Sequence, residues 1–206
     1  MKRSKTSKPW WLDRHVHDPY VKRAQQEGFR SRAAYKLLGL DEKDHFLKPG
    51  MMVVDLGAAP GGWCQAAAKK VGSKGRIIGI DLLEVAPVDG VTLIQGDFSS
   101  DDGLRQVESA LRGQKVDLVL SDMAPNFSGV ASVDQARHYA LADLALEFAV
   151  NWLKPEGAFV VKVFQGSGFE DYLRRVNASF RQVAVRKPDA SRDESRENFL
   201  VARNLA

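Results

Sequence analysis

Five short runs rich in Val, Ile and Leu punctuate the middle of the chain: MMVVDLG (51–57), RIIGIDLL (76–83), VTLIQGDF (91–98), VDLVLSDM (116–123) and AFVVKVF (158–164). None alternates strictly between apolar and polar residues, so each reads as a strand covered on both faces, as in a parallel sheet. Helical patterns lie between them: GWCQAAAKKV after the first, DGLRQVESALRG before the fourth, and SVDQARHYALADLALEFAVNWL (132–153) before the fifth. In the longest, Ser132 and Gln135 stand at capping-box spacing, and Pro155-Glu156-Gly157 marks a stop. SRAAYKLLGLDEKDH (31–45) reads as a helix ahead of the sheet, and FEDYLRRVNASF as one after the fifth strand. RQVAVRK and ENFLVAR then follow with no crossover helix between them, which calls for an antiparallel pair. The expectation is an α/β fold: a doubly wound, mostly parallel seven-stranded sheet with an antiparallel C-terminal edge and helices on both faces.

A chain of 206 residues is the size of one domain with a real core. Cys64 has no second cysteine to pair with, which fits a reducing compartment, and the cytoplasm is the expected location. No apolar run is long enough to span a membrane, and no hydrophobic stretch follows the basic start MKRSKTSKPWW. Charge is unevenly spread. Residues 1–50 hold 12 Lys/Arg against 6 Asp/Glu, residues 51–170 hold 10 against 15, and residues 171–206 hold 8 against 5. Two basic ends flanking an acidic middle point to a polyanionic partner, although Lys2 to Lys8 taken alone read as a solvated tail. The chain is therefore read as one domain, 1–206, with a basic N-terminal segment (1–48) that contacts the polyanion and an α/β core (49–206).

VVDLGAAPGGW (53–63) is the most informative segment. A strand reaching Asp55 passes through Gly57, Gly61 and Gly62 into a helix, at the sheet end where open α/β folds bind ligands. The spacing is not G-x-G-x-x-G, and an aspartate in the turn suits a cationic, phosphate-free nucleoside better than a pyrophosphate. S-adenosylmethionine, with its sulfonium and ammonium, is such a ligand. Asp81 ends the second run, 26 residues after Asp55, where it can accept from ribose hydroxyls. Asp97, in QGDF, is placed for an adenine amino group.

The fifth run carries Lys162 between Val161 and Val163, and a lysine is almost never buried without a partner. The fourth ends at Asp122, so the two should meet at the rim. As an ion pair Lys162 would satisfy Asp122; as a catalytic group, a buried lysine in its neutral form can take a proton from a substrate hydroxyl. SDMAPN lacks the paired prolines and aromatic of base-amine methyltransferases. Lys36 is a candidate second cation and Glu197 a candidate orienting carboxylate, though spacing alone does not bring either to the rim. No metal is required: His15, His17, His45 and His138 do not cluster with Cys64 at ligand spacing.

RSRAAYKL, VVDLGAAPGGW, QGDF, SDMAPNFSG, VVKVFQG and VRKPDASRDESRENF, in this order, resemble the FtsJ/RrmJ family of S-adenosylmethionine-dependent RNA ribose 2′-O-methyltransferases, most closely its bacterial branch acting on a uridine of large-subunit (23S) ribosomal RNA. The resemblance runs from about Trp10 to Ala202 and implies a Rossmann-like methyltransferase fold. It implies a catalytic tetrad of Lys36, Asp122, Lys162 and Glu197, with Lys162 as proton acceptor. It further implies donor contacts at Gly61, Trp63, Asp81, Asp97 and Asp122, beside Asp55 and Gly57 of the turn. Departures fall at residues 33–35 and in FSGVAS (127–132), positions suited to substrate contact. Arg30 and Arg32, interleaved with Phe29 and Tyr35, and Arg192 and Arg196 are expected to grip RNA, with the two rings as stacking surfaces. The partner implied is ribosomal RNA within the large subunit, met by a monomer. Alternatives are the same chemistry on transfer RNA or an mRNA cap, and a non-catalytic ribosome-assembly factor.

Overall fold

The computed structural model describes residues 18–192 and 194–206; the lysine-rich start, His15 and His17 lie outside the described residues. Among the described residues two helices come first, α1 (Pro19–Glu27) and α2 (Ala33–Asp44). Sequence periodicity did not reveal α1, whose signal is local. Asp18 accepts from the amides of Tyr20 and Val21 as the cap, Pro19 occupies the first turn, and Gly28 closes the helix at φ 75°. Such a proline needs no amide partner and the cap satisfies others.

There follow β1 (Met52–Leu56), α3 (Gly62–Val71), β2 (Arg76–Asp81), β3 (Val91–Gln95), α4 (Asp101–Leu111), β4 (Val116–Ser121), α5 (Ala131–Trp152), β5 (Leu153–Phe164), α6 (Phe169–Ser179), β6 (Phe180–Arg186) and β7 (Glu197–Leu205). They build a seven-stranded sheet in the order β3-β2-β1-β4-β5-β7-β6. The pairs β1–β2, β1–β4, β2–β3 and β4–β5 are parallel, whereas β7 runs antiparallel to both β5 and β6. The antiparallel character of the C-terminal pair is as the sequence implied, but its order is not. The last strand slots inside the sheet and β6 becomes the edge.

Both faces are covered. Successive strand residues point to opposite faces, so Val53 joins Leu37 and Leu40 of α2 and Ala66 and Ala67 of α3 in one core, while Val54 joins Val107 of α4, Leu146 of α5 and Tyr172 of α6 in the other. Phe29 and Tyr35 belong to the first core and are 7% and 5% exposed. They pack edge to face on each other at 5.6 Å, which corrects the expectation that they offer stacking surfaces to RNA.

The start of α5 also differs from expectation. Its N-cap is Val130, with no side-chain cap bond, so Ser132 and Gln135 form no capping box there. Asp134, inside the first turn, instead accepts from the preceding loop, from Ser128 N and Oγ at 2.7 Å each and from Gly129 N at 3.1 Å. These bonds, the Ser128 amide foremost, hold its carboxyl below the usual range, and they tie the loop after β4 to the helix.

Replacing Asp18 with Ala removes the cap of α1 together with its ion pair to Arg32. The expected cost is about 0.5–2 kcal/mol, a fall in melting temperature of roughly 1–8 °C for a chain of this size, measurable by calorimetry.

Candidate active site

The parallel strands end along one rim, where loops after β1, β2, β3 and β4 surround a cavity of about 250 Å³. Gly57, Asp81, Asp97 and Asp122 line it, alongside apolar walls from Ile80 and Phe98. Gly57 has φ 86°, and a Cβ there would stand 3.0 Å from the Met123 amide nitrogen, so only glycine lets the first loop close against the fourth. Asp81 is held by both neighbouring loops, its Oδ2 accepting from Ala59 N and its Oδ1 from Leu83 N, each at 2.9 Å. Asp97 accepts through Oδ1 from Ser99 N at 2.9 Å and Ser99 Oγ at 2.6 Å. Its other oxygen makes no such bond to the loop. Apolar walls and two carboxylates at the edge fit a nucleoside with ribose hydroxyls and an amino group.

Asp55, Gly61 and Trp63 stand behind this wall rather than on it. Trp63 is buried, donates from Nε1 to Ala33 O at 2.8 Å and packs on Phe199 at 5.6 Å between ring centres. Asp55 is wholly buried and accepts from the Cys64 thiol at 3.1 Å. Burial, with Asp122 and Asp81 nearby, pushes its carboxyl up to about 7 against the opposing pull of the thiol bond. Burial and Asp55 in turn raise the Cys64 thiol, so this cysteine is no nucleophile.

Lys162 reaches the same rim from β5. It is 7% exposed, donates from Nζ to the Asp122 main-chain oxygen at 2.7 Å, and stands 2.8 Å from Asp122 Oδ1. The carbonyl takes the hydrogen-bond direction; the carboxylate adds an ion-pair contact. Beside it, Lys36 Nζ lies 2.7 Å from Glu197 Oε1 and 2.8 Å from Oε2, and Ser191 Oγ donates to Oε1 at 3.0 Å. Sheet register joins the two pairs. Lys162 pairs with Phe199 and Phe164 with Glu197, so Lys162 and Glu197 are diagonal neighbours on one face, about 7–8 Å apart at the backbone. The structure thus gathers all four tetrad residues.

A second cavity, of about 320 Å³, is lined by Arg32, Lys36, Arg192, Ser195 and Glu197 among others. Arg192 and Arg196 are exposed. Arg32 instead pairs with Asp18 and donates to Ala190 O. Arg30 spends its guanidinium on Ala86 O at 2.5 Å and Pro87 O at 2.6 Å. Sequence reasoning missed His138, which is 2% exposed and places Nε2 3.1 Å from Lys162 O. The carbonyl can only accept, so Nε2 carries the proton. Burial, then the Lys162 charge, lowers this imidazole to about 4. Its signal was present as helical spacing: His138 falls four residues after Asp134 and four before Ala142, all three buried.

The chain matches the FtsJ-like methyltransferase family over residues 29–205. It belongs to that family. A protein named ribosomal RNA large subunit methyltransferase E from Thiobacillus denitrificans is 62% identical over 202 residues, covering 98% of this chain and 91% of that protein. One of the same name from Azoarcus sp. is 57% identical over 205 residues, covering 100% of each. Among solved structures, a Plasmodium falciparum protein assigned as a ribosomal RNA methyltransferase superposes with a TM-score of 0.77 at 32% identity, covering 86% of this chain and 98% of that one. The fold is the methyltransferase fold these relatives share.

Because the Asp55 carboxyl is raised in the folded state, from about 3.9 in an unfolded chain to about 7, the folded protein holds a proton there that the unfolded chain releases. Stability from this group therefore falls as pH rises from about 4 to about 7. His138, lowered instead, contributes with the opposite sign. Asp55→Asn leaves His138 in place, so the difference in unfolding free energy between variant and wild type should shift in the variant's favour across that window, read from urea titrations at stepped pH.

Proposed function

We propose that the chain transfers a methyl group from S-adenosylmethionine to the 2′-hydroxyl of a ribose, that of a uridine in large-subunit ribosomal RNA, acting in the cytoplasm. The observation that carries this reading is the buried Lys162 side chain, its Nζ seated 2.7 and 2.8 Å from two oxygens of Asp122 at the wall of a nucleoside-sized cavity. When bound, S-adenosylmethionine supplies a methyl on a positively charged sulfur, whose C–S bond breaks as the ribose oxygen bonds to that carbon. Asp81 would take the donor's ribose hydroxyls and the free oxygen of Asp97 its amino group, with Gly57 allowing close approach of the loop. Asp55, Gly61 and Trp63 would support that wall from behind.

Lys162, as the amine, takes the proton of the ribose hydroxyl while the oxygen attacks. The ammonium so formed occupies the seat on Asp122 seen here, so charge created in the transition state meets an acceptor already in place. His138 fixes the Lys162 carbonyl from behind the strand. Lys36 and Glu197 hold the floor of the second cavity, where the Lys36 ammonium can meet a phosphate or ribose oxygen of the RNA while Glu197 and Ser191 keep its side chain extended. Arg192 and Arg196, exposed above that cavity, extend the cationic surface along the RNA backbone. The names of the close relatives support the ribosomal substrate.

The first test is methyl transfer from labelled donor to large ribosomal subunits lacking their own ribose methylation, followed by digestion to nucleosides. Wild type should place label in a 2′-O-methylnucleoside, and Lys162→Ala should lose at least 100-fold in rate, the lower end for a general base, while still binding donor in calorimetry. Undiminished label in the variant would discard Lys162 as the base; label on a base amine would discard the reaction.

Neutralising both Arg192 and Arg196 should weaken binding to ribosomal RNA and flatten its dependence on salt. The expected change in log-log slope is about 1.4–1.8, for two phosphate contacts at roughly 0.7–0.9 each. An unchanged slope would move the RNA face elsewhere.

A further inference from the structure

We propose that Phe127 is the platform on which the base of the target nucleotide stacks. This rests on the ribose-methylation reading above and adds to it the element that receives the base, which the tetrad does not supply.

Among the described residues Phe127 is the one Phe, Tyr or Trp side chain that is exposed. It stands 64% exposed, with Val130 at 55% and Val133 at 39% beside it in the chain. Exposed apolar side chains grouped in this way mark a contact surface. Its position connects it to the chemistry. The Phe127 ring meets the Phe164 ring edge to face at 6.3 Å between centres. Phe164 is two residues beyond Lys162 on β5, a rise of roughly 6.6 Å, and is the cross-strand partner of Glu197, which lines the cavity with Lys36 and Arg192. The exposed ring therefore meets the end of the strand that carries Lys162, across from Glu197.

The loop is also held in place before RNA arrives. Ser128, next to Phe127, and Gly129 both donate to the Asp134 carboxylate. Phe164 itself is braced by His138, 4.7 Å away between ring centres, and its carbonyl accepts from Tyr139 Oη at 2.6 Å. A ring presented on a fixed loop loses little freedom on binding, the arrangement that favours stacking. The residue type matters as well. Single-stranded RNA bases are held mainly by aromatic faces, which accept any base, while phosphates are taken by cations. Here the cations stand at Lys36, Arg192 and Arg196, and the rings first expected to stack, Phe29 and Tyr35, are buried. Phe127 is where the stacking surface remains.

The test is steady-state methyl transfer to undermethylated large subunits by wild type and the variants Phe127→Ala, Phe127→Leu and Phe127→Trp, with donor affinity measured calorimetrically on each. The expected result is a KM for ribosomal RNA raised about 10-fold or more in Phe127→Ala, with kcat changed less, donor affinity within twofold, and an unshifted melting temperature because the ring is exposed. Phe127→Trp should behave as wild type, and Phe127→Leu should resemble Ala. A KM within twofold of wild type in Phe127→Ala would overturn the proposal. So would full rescue by Leu, which would make the patch an aliphatic contact for a ribosomal protein. Failure of the wild type to form any 2′-O-methylnucleoside would instead overturn the reaction itself and this role with it, an outcome distinct from a normal wild-type rate with an indifferent Phe127.

Discussion

The site depends on the placement of β7 between β5 and β6. Had the last two strands added in chain order, Glu197 would stand one strand farther from Lys162. With β7 antiparallel against β5, Phe199 faces Lys162 and Glu197 faces Phe164, and the two ion pairs share one face of the sheet. Lys162–Asp122 comes from neighbouring parallel strands; Lys36–Glu197 comes from the helix α2 reaching over β7. The interior position of β7 makes them adjacent.

Burial of charge governs the rest. Each buried ionisable group at the rim has a partner or has surrendered its charge, as physics requires where water is excluded. Lys162 rests on two oxygens of Asp122, and Glu197 on Lys36 and Ser191. Asp55, with a thiol for its hydrogen-bond partner, is driven toward the neutral acid, and His138 toward the neutral imidazole. Charge is thus concentrated on the two ion pairs, and neutral polar groups stand behind them. The same division appears among aromatic rings: Trp63, Phe199, Phe29 and Tyr35 are interior supports, while Phe127 faces outward.

The sequence made much of this legible. Near-continuous apolar runs with helical patterns between them specify a parallel sheet covered on both sides, because the alternation allows few other ways to bury those faces. Aspartates at successive strand ends mark the ligand rim for the same reason, since all parallel strands end on one side. Lys162 declared itself as a cation inside an apolar strand, and Asp122 as its nearest possible partner. Less was visible where a residue's role depends on what lies across from it. Phe29 and Tyr35 sit among cations in the chain, yet helix α2 turns them into the core. Arg32 and Arg30 read as free cations, yet Asp18 and the carbonyls at Ala86 and Pro87 hold them. His138 read as one of four unclustered histidines, yet its helix carries it beneath Lys162.

What the sequence by itself determined is therefore the set of elements, the rim at which the parallel strands end, and the presence of a buried lysine beside it, because strand periodicity, glycine turns and the cost of an unpaired charge are local properties. What only the tertiary structure decided is the company each group keeps: the strand order that places Glu197 beside Lys162, the helix face that hides two rings, and the pinned loop that exposes a third. Those outcomes are set by contacts between segments distant in the chain, such as Lys36 with Glu197 and Arg32 with Ala190. Their geometry follows from packing one layer on another, and no run of neighbouring residues encodes it.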